Sequence, residues 1–202
     1  MKTIKLLAVA LLFLGLNSCS SDDNDEQKKS ELEIITVENL HAPGDVRDYQ
    51  TGEIIQEGTM KYFSFSQGMA VEETADWDIA FKGTSIIVNG GINGDTDAAA
   101  TVVNSTFAEV VEAPSDGDFR VDTDIINAIP SGSGNGWYNY NPSNHMITPI
   151  AGRILIIRTH DSKYAKVEIL SFYKDQTTTP SQEDGAYLTF NYTYQTDGSK
   201  NF

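Results

Sequence analysis

The sequence predicts an all-β protein, a single domain of mainly antiparallel strands, and three observations carry that prediction. Gly (16), Tyr (9) and Phe (9), with frequent Thr and Val, suit strands joined by turns better than helices. Apolar residues recur at every second position in several segments, the period of a strand with one buried face. Between those segments lie turn-forming clusters at the spacing of antiparallel connections. The length of 202 residues matches one compact domain, and a net charge of -15 with no basic tract leaves nothing to neutralise a phosphate backbone. Nucleic acid is therefore excluded as an expected partner.

The chain begins with a secretory signal. Lys2 and Lys5 precede the apolar run LLAVALLFL (6–14), and small or polar residues follow at Asn17 and Ser18. Nine residues reach about 14 Å as a helix, short of a hydrocarbon core of roughly 30 Å, so the run is too short for a retained span. The one cysteine of the chain, Cys19, stands directly after Leu16-Asn17-Ser18. That arrangement resembles the bacterial lipobox, in which the signal peptide (residues 1–18) is removed and the Cys19 thiol carries diacylglycerol. Acyl chains at about 0.8 kcal/mol per buried methylene would then hold the protein on a membrane. Removal of residues 1–18 takes Lys2 and Lys5 with it and leaves a net charge of -17. The 184 remaining residues can bury about 70% of their unfolded surface, enough for a core without disulfides. Residues 19–30 read as the lipidated Cys and an acidic tether, because 20–26 (SSDDNDE) holds no apolar residue. A Ser followed by acids after the lipidated Cys resembles an export signal to the cell surface. Residues 31–202 form the expected β domain.

Within it, Phe63 and Phe65 alternate with Ser64 and Ser66, and Trp77, Ile79 and Phe81 with Asp76, Asp78 and Lys82. Leu188, Phe190, Tyr192 and Tyr194 alternate with Thr189, Asn191 and Thr193. The continuous runs 86–88 (IIV) and 154–157 (ILII) predict central strands covered on both faces. Turns are expected at 42–45, 89–91, 93–95, 115–118 and 159–162, the last closing a hairpin between 153–158 and 165–173. Ser131 to Gly136 (SGSGNG) is a flexible loop that lacks the lysine of a P-loop. A polar tail is expected from Thr196 onward.

Chemical motifs are sparse. No His-Glu-x-x-His or Gly-x-Ser-x-Gly occurs, so an enzyme reading has nothing specific behind it. His41, His145 and His160 sit in turn-like contexts where an exposed imidazole is the default. Asp76/Asp78 and Asp122/Asp124 are carboxylate pairs two residues apart, expected on one solvated side. Asn93, Asp95 and Asp97 start like a calcium loop, but Ala98 stands where Gly is needed and Asn104 where Glu is needed. Asn144-His145-Met146 offers imidazole and thioether, both competent ligands for haem iron.

The stretch Lys61-Tyr62-Phe63-Ser64-Phe65-Ser66-Gln67-Gly68, followed by Asp76-Trp77-Asp78-Ile79-Ala80-Phe81, resembles the opening of the HmuY family of haem-binding lipoproteins. Pro114-Ser115-Asp116-Gly117 with Val121-Asp122, the Arg153-led hairpin, and the strand from Leu188 to Tyr194 match later blocks of that family in the same order. The resemblance implies a sandwich-type, non-catalytic protein on the outer surface. It would take haem from host haemoproteins and deliver it to a TonB-dependent receptor. Known members clamp the iron between two axial side chains from two loops. The counterpart of one loop here is 137–149, with Met146 the first choice of ligand and His145 the second. The counterpart of the other, 123–136, is short and contains no His, Met, Tyr or Cys. Arg153 and Arg158 are expected to pair with haem propionates or with the surplus acids. A second expectation from another class is a glycan-binding surface protein that uses Trp137, Tyr138 and Tyr140 as stacking rings.

Overall fold

The computed structural model describes residues 32–202, so the signal peptide, Cys19 and the acidic tether lie outside the described residues. Thirteen strands follow one another: β1 (Ile35–His41), β2 (Val46–Arg47), β3 (Ile54–Gln56), β4 (Lys61–Ser64), β5 (Met69–Val71), β6 (Ile79–Lys82), β7 (Ser85–Val88), β8 (Ala99–Asn104), β9 (Tyr138–Asn141), β10 (Met146–Pro149), β11 (Arg153–Arg158), β12 (Tyr164–Tyr173) and β13 (Gly185–Gln195). Helical structure among the described residues is confined to three 3-10 turns, and no helix there is long and apolar enough to cross a membrane. The all-β prediction holds.

Two larger sheets face each other. One orders its strands β1-β13-β12-β11-β8, the other β5-β4-β6-β7, and every pairing in both is antiparallel. Phe63 and Phe81 from the smaller sheet both meet Phe190 of β13 with ring centroids 5.4 Å apart. Those contacts mark the centre of the main core, where aromatic pairs add to the burial of apolar area. A smaller apolar cluster lies on the outer face of the five-stranded sheet, where Ile154, Ile156 and Tyr164 pack against Phe107, Val110 and Ala113. β11 is therefore covered on both faces, with Leu155 and Ile157 in the main core and Ile154 and Ile156 in the second. The expected hairpin forms as drawn from the sequence, with Leu155 opposite Val167 and Arg158 opposite Tyr164.

Three expectations need correction. The 86–88 run is not a central strand: β7 is the outer strand of its sheet, and Ile87 is only half-buried. β6 does not expose an alternate face, because it lies between β4 and β7 and Ile79, Ala80 and Phe81 are all buried. The tail beyond Thr196 is not a loose polar end. It folds back on 111–113, with Phe202 N–H donating to the Val111 carbonyl at 2.7 Å and Ala113 N–H to Lys200 at 2.7 Å. Lys200 also reaches Asp116 at 2.6 Å.

The carboxylate pairs are not pairs. Asp78 and Asp122 are each 1% exposed, while Asp76 and Asp124 face solvent. Asp122 accepts hydrogen bonds from Val88 N–H (2.8 Å), the Asn93 amide (2.7 Å) and Ala128 N–H (2.6 Å). One carboxylate thereby ties β7, the 89–97 turn and the 123–136 loop together. Asn93 donates its side-chain amide N–H to Asp122, which draws the 93–97 segment toward the 123–136 loop. Asp78 accepts from Phe65 N–H at 2.7 Å and from both the backbone N–H (3.1 Å) and ring Nδ1 (2.8 Å) of His160. Burial of these two carboxyl groups is tolerated because each of their oxygens has a hydrogen-bond donor.

Candidate functional site

β9 and β10 form a separate two-stranded hairpin, with Met146 opposite Asn141 and Pro149 opposite Tyr138. Its base is held by Trp137, 1% exposed, whose indole N–H donates to the Thr84 carbonyl at 3.0 Å. The turn at its tip is built by short polar side chains. Asn141 Oδ1 accepts from Ser143 N–H at 2.9 Å, and Asn144 Oδ1 from Met146 N–H at 3.2 Å. His145 sits in the left-handed region at φ 59°, which lets the chain reverse there. The tip thus presents His145 and Met146 in succession.

Each of these side chains has its own setting. His145 is exposed, and its Nδ1 lies 2.6 Å from the Tyr140 hydroxyl. When Nδ1 carries the proton and donates to that oxygen, the Nε2 lone pair is left for a metal. Met146 is half-buried and packs against the main core, so its thioether sits where apolar wall meets solvent. Next to it, Ile147 N–H donates to the Tyr173 hydroxyl at 2.8 Å, which fastens the hairpin to the end of β12.

A cavity of about 500 Å³ opens beside this tip. Asn144 to Ile147 form one wall, Phe172 and Tyr173 the floor, and Pro180 to Gln182 the far side. The far wall is braced by Asp184, which accepts from both the side chain and backbone N–H of Ser181 at 2.7 Å. Those bonds hold the Asp184 carboxyl below its ordinary range. The volume lies within the range of small-molecule sites, roughly 300 to 1,000 Å³. The lining mixes polar Asn144, His145, Ser181 and Gln182 with apolar Met146, Ile147, Phe172 and Pro180, and imidazole and thioether are both competent metal ligands.

The structure brings His145 and Met146 together at this cavity, and the 123–136 segment contributes nothing to its wall. That segment instead buries Ala128 and Ile129 in the main core and is pinned at its start by Asp122. The stacking platform expected for a glycan is absent: Trp137 and Tyr138 are buried, and of the three rings only Tyr140 reaches solvent. Arg153 and Arg158 do not line the cavity; they donate to the backbone carbonyls of Gly134 (3.4 Å) and Asp97 (2.8 Å). His160 is not a solvated turn residue but the partner of buried Asp78. Asp78, His160 and Asp161 lie within 4.8 Å of one another through their ligand atoms. Asp161 already accepts from Thr159 at 2.6 Å and pairs with Lys163 at 2.9 Å, so the cluster works as a clasp between β6 and the β11–β12 turn. Sequence reasoning missed Tyr173 and the 180–182 wall, which become neighbours of the hairpin only through the long β12 and the excursion that follows it.

A two-sheet β sandwich with a hairpin-walled cavity at one end defines a binding scaffold. Residues 56–192 match the family model for the HmuY protein, and the chain belongs to the HmuY family, whose members are non-enzymatic binding proteins. Among solved structures it is similar to an apo HmuY analog from Tannerella forsythia, with 17% identity and a TM-score of 0.46 over 81% of this chain and 97% of that one. It is also similar to apo PinO from Porphyromonas gingivitis, with 14% identity and a TM-score of 0.44 over 82% of this chain and 99% of that one. No curated protein matches the chain.

Proposed function

We propose that this protein is a surface lipoprotein that binds haem or a related tetrapyrrole and passes it, chemically unchanged, to a TonB-dependent receptor of the outer membrane. The observation that carries the reading is the cavity of about 500 Å³ whose wall is the hairpin tip holding His145 and Met146. Membership of the HmuY family supports the cargo. Met146 is the first choice of iron ligand, since it is half-buried at the cavity edge, and His145 the second. In this reading residues 1–18 are removed, Cys19 is lipidated, residues 19–30 form the tether, and residues 31–202 form the carrier domain, which collects haem released by host haemoproteins.

The test is a hemin titration of the purified protein followed by absorbance in oxidised and reduced forms, with an unrelated acidic protein as control. A saturable one-to-one Soret shift is expected, altered in band position by Met146→Ala or His145→Ala. A spectrum identical to free hemin overturns the haem reading. A shift insensitive to both substitutions overturns the ligand assignment alone. Replacing Cys19 with Ser is expected to move the protein from the membrane fraction to the soluble fraction.

A further inference from the structure

A second cavity of about 510 Å³ adjoins the first. The two share Phe172 as a wall, and Gly185 of the first is followed in the chain by Ala186 of the second. The second is lined by Lys82 at the end of β6, by Thr84 of the β6–β7 connection, and by Asp45 and Arg47. Its floor is a contact between two glycines: a Cβ at Gly44 would stand 3.2 Å from the Gly83 Cα, and Gly83 has a φ of +57°. Glycine at both positions lets the 42–47 segment lie directly against the β6–β7 turn, which brings Lys82 Nζ to 2.6 Å from Asp45 Oδ1.

The charge balance of this cavity is unlike that of the molecule. The chain carries -15 overall, yet here two cations share a single carboxylate. Arg47 Nη2 stands 3.6 Å from Asp45, beyond hydrogen-bonding distance, and its Nη1 donates to the Gly52 carbonyl at 3.1 Å. The guanidinium therefore keeps donors for an incoming acid, in a fork that suits a carboxylate. A carboxylate-bearing ligand is repelled by the acidic surface in general, so a local surplus of positive charge beside an apolar cavity is selective for one.

The two cavities are also at fixed spacing. Thr84 is joined to the hairpin base through the Trp137 indole and through the Tyr138 hydroxyl at 3.3 Å. Met146 stands opposite Asn141, three residues along the strand from Tyr138, or about 10 Å at the rise of a β-strand. We infer that Lys82 and Arg47 receive the carboxylate side chains of the tetrapyrrole whose ring occupies the cavity at His145 and Met146. The inference rests on the haem reading above and adds to it the part of the ligand that is recognised by charge.

Hemin and hemin dimethyl ester, which lacks the two free carboxylates, separate the outcomes. The wild-type protein is expected to bind hemin about tenfold tighter than the diester. Lys82→Gln and Arg47→Gln are each expected to weaken hemin binding roughly five- to tenfold while leaving the affinity for the diester and the Soret position unchanged. Asp45→Asn removes the competing carboxylate and is expected to shift hemin affinity the opposite way, a change of sign that a merely structural role does not produce. Equal wild-type affinity for the two porphyrins, or hemin affinity unchanged in the Lys82→Gln/Arg47→Gln double variant, overturns this inference and leaves the haem reading standing. A wild-type protein that binds neither porphyrin overturns both. The ester comparison needs no substitution, so it stands even where a variant folds poorly.

Discussion

Replacing Asp122 with Ala removes one small side chain and breaks three ties at once, two of them long-range. Its carboxylate accepts from Val88 N–H, the Asn93 amide and Ala128 N–H at 2.6 to 2.8 Å, and the residue is 1% exposed. In the alanine variant two buried backbone N–H groups lose their acceptor, at about 1–3 kcal/mol each, and the partly buried Asn93 amide loses its anchor. The summed loss is about 3–6 kcal/mol, against a total stability of about 5–15 kcal/mol for a natural domain. For a chain of this length that lowers the unfolding midpoint by roughly 6–24 °C. Asp122→Asn separates charge from shape: its remaining oxygen still serves one side, while its NH2 opposes a donor on the other. It should fall midway. Urea unfolding gives the free energies, and amide exchange at Val88 and Ala128 reports the local opening. A loss below about 1 kcal/mol for alanine, or an asparagine variant equal to wild type, would refute the account of Asp122 as the tie among the three segments.

Other expectations follow from the same geometry. Tyr173→Phe removes the acceptor for Ile147 N–H; about 1 kcal/mol of stability should be lost and the Ile147 amide should exchange faster, and unchanged exchange would contradict the fastening role. Gly91→Ala should destabilise strongly, because Gly91 has a φ of +65° and an added Cβ would overlap the Asp122 carbonyl oxygen; a wild-type melting profile would count against the fold around that turn. Hydrogen bonds from Lys82, Lys200 and Ser181 hold the carboxyls of Asp45, Asp116 and Asp184, respectively, below their ordinary value of 3.8. Depressed carboxyls stabilise the fold fully above their unfolded pKa and lose that contribution as pH falls through the folded value. The melting temperature should therefore stay level through neutral pH as far as these groups are concerned and drop below pH ~4. Lys200→Gln should make the acid limb shallower, and an unchanged acid limb would show that the Asp116 pair contributes nothing.

Much of the fold is legible in the sequence because strand period and burial are local properties. The 154–157 run predicts a doubly covered strand, and β11 supplies it with side chains in two separate cores. The alternation from Leu188 to Tyr194 predicts one buried face; Leu188, Phe190 and Tyr192 are in the core, but Thr189 and Thr193 on the other face are buried as well. What fails is whatever depends on neighbours far along the chain. Asp78 reads as a solvated carboxylate because its partner, His160, is 82 residues away. Asp122 misleads in the same way, since Val88 lies 34 residues upstream. The run at 86–88 looks central by composition, but strand order decides which strand is outermost, and apolar content does not encode strand order. At the site, His145 and Met146 are visible as a ligand-type pair. The cavity beside them is not visible, because Tyr173 and the 180–182 wall come from elements that sequence patterning cannot place against the hairpin.

In the proposed role a cargo has to be released as well as held. The hairpin β9–β10 belongs to neither large sheet; its base is anchored by buried Trp137, and its tip is fastened to β12 through a hydroxyl of Tyr173. Lifting that tip would break no strand pairing of the two large sheets. Opening that wall costs the Ile147–Tyr173 hydrogen bond and the packing of Met146 and Ile147 on the main core, a local cost separate from the strand pairing that holds the two large sheets together.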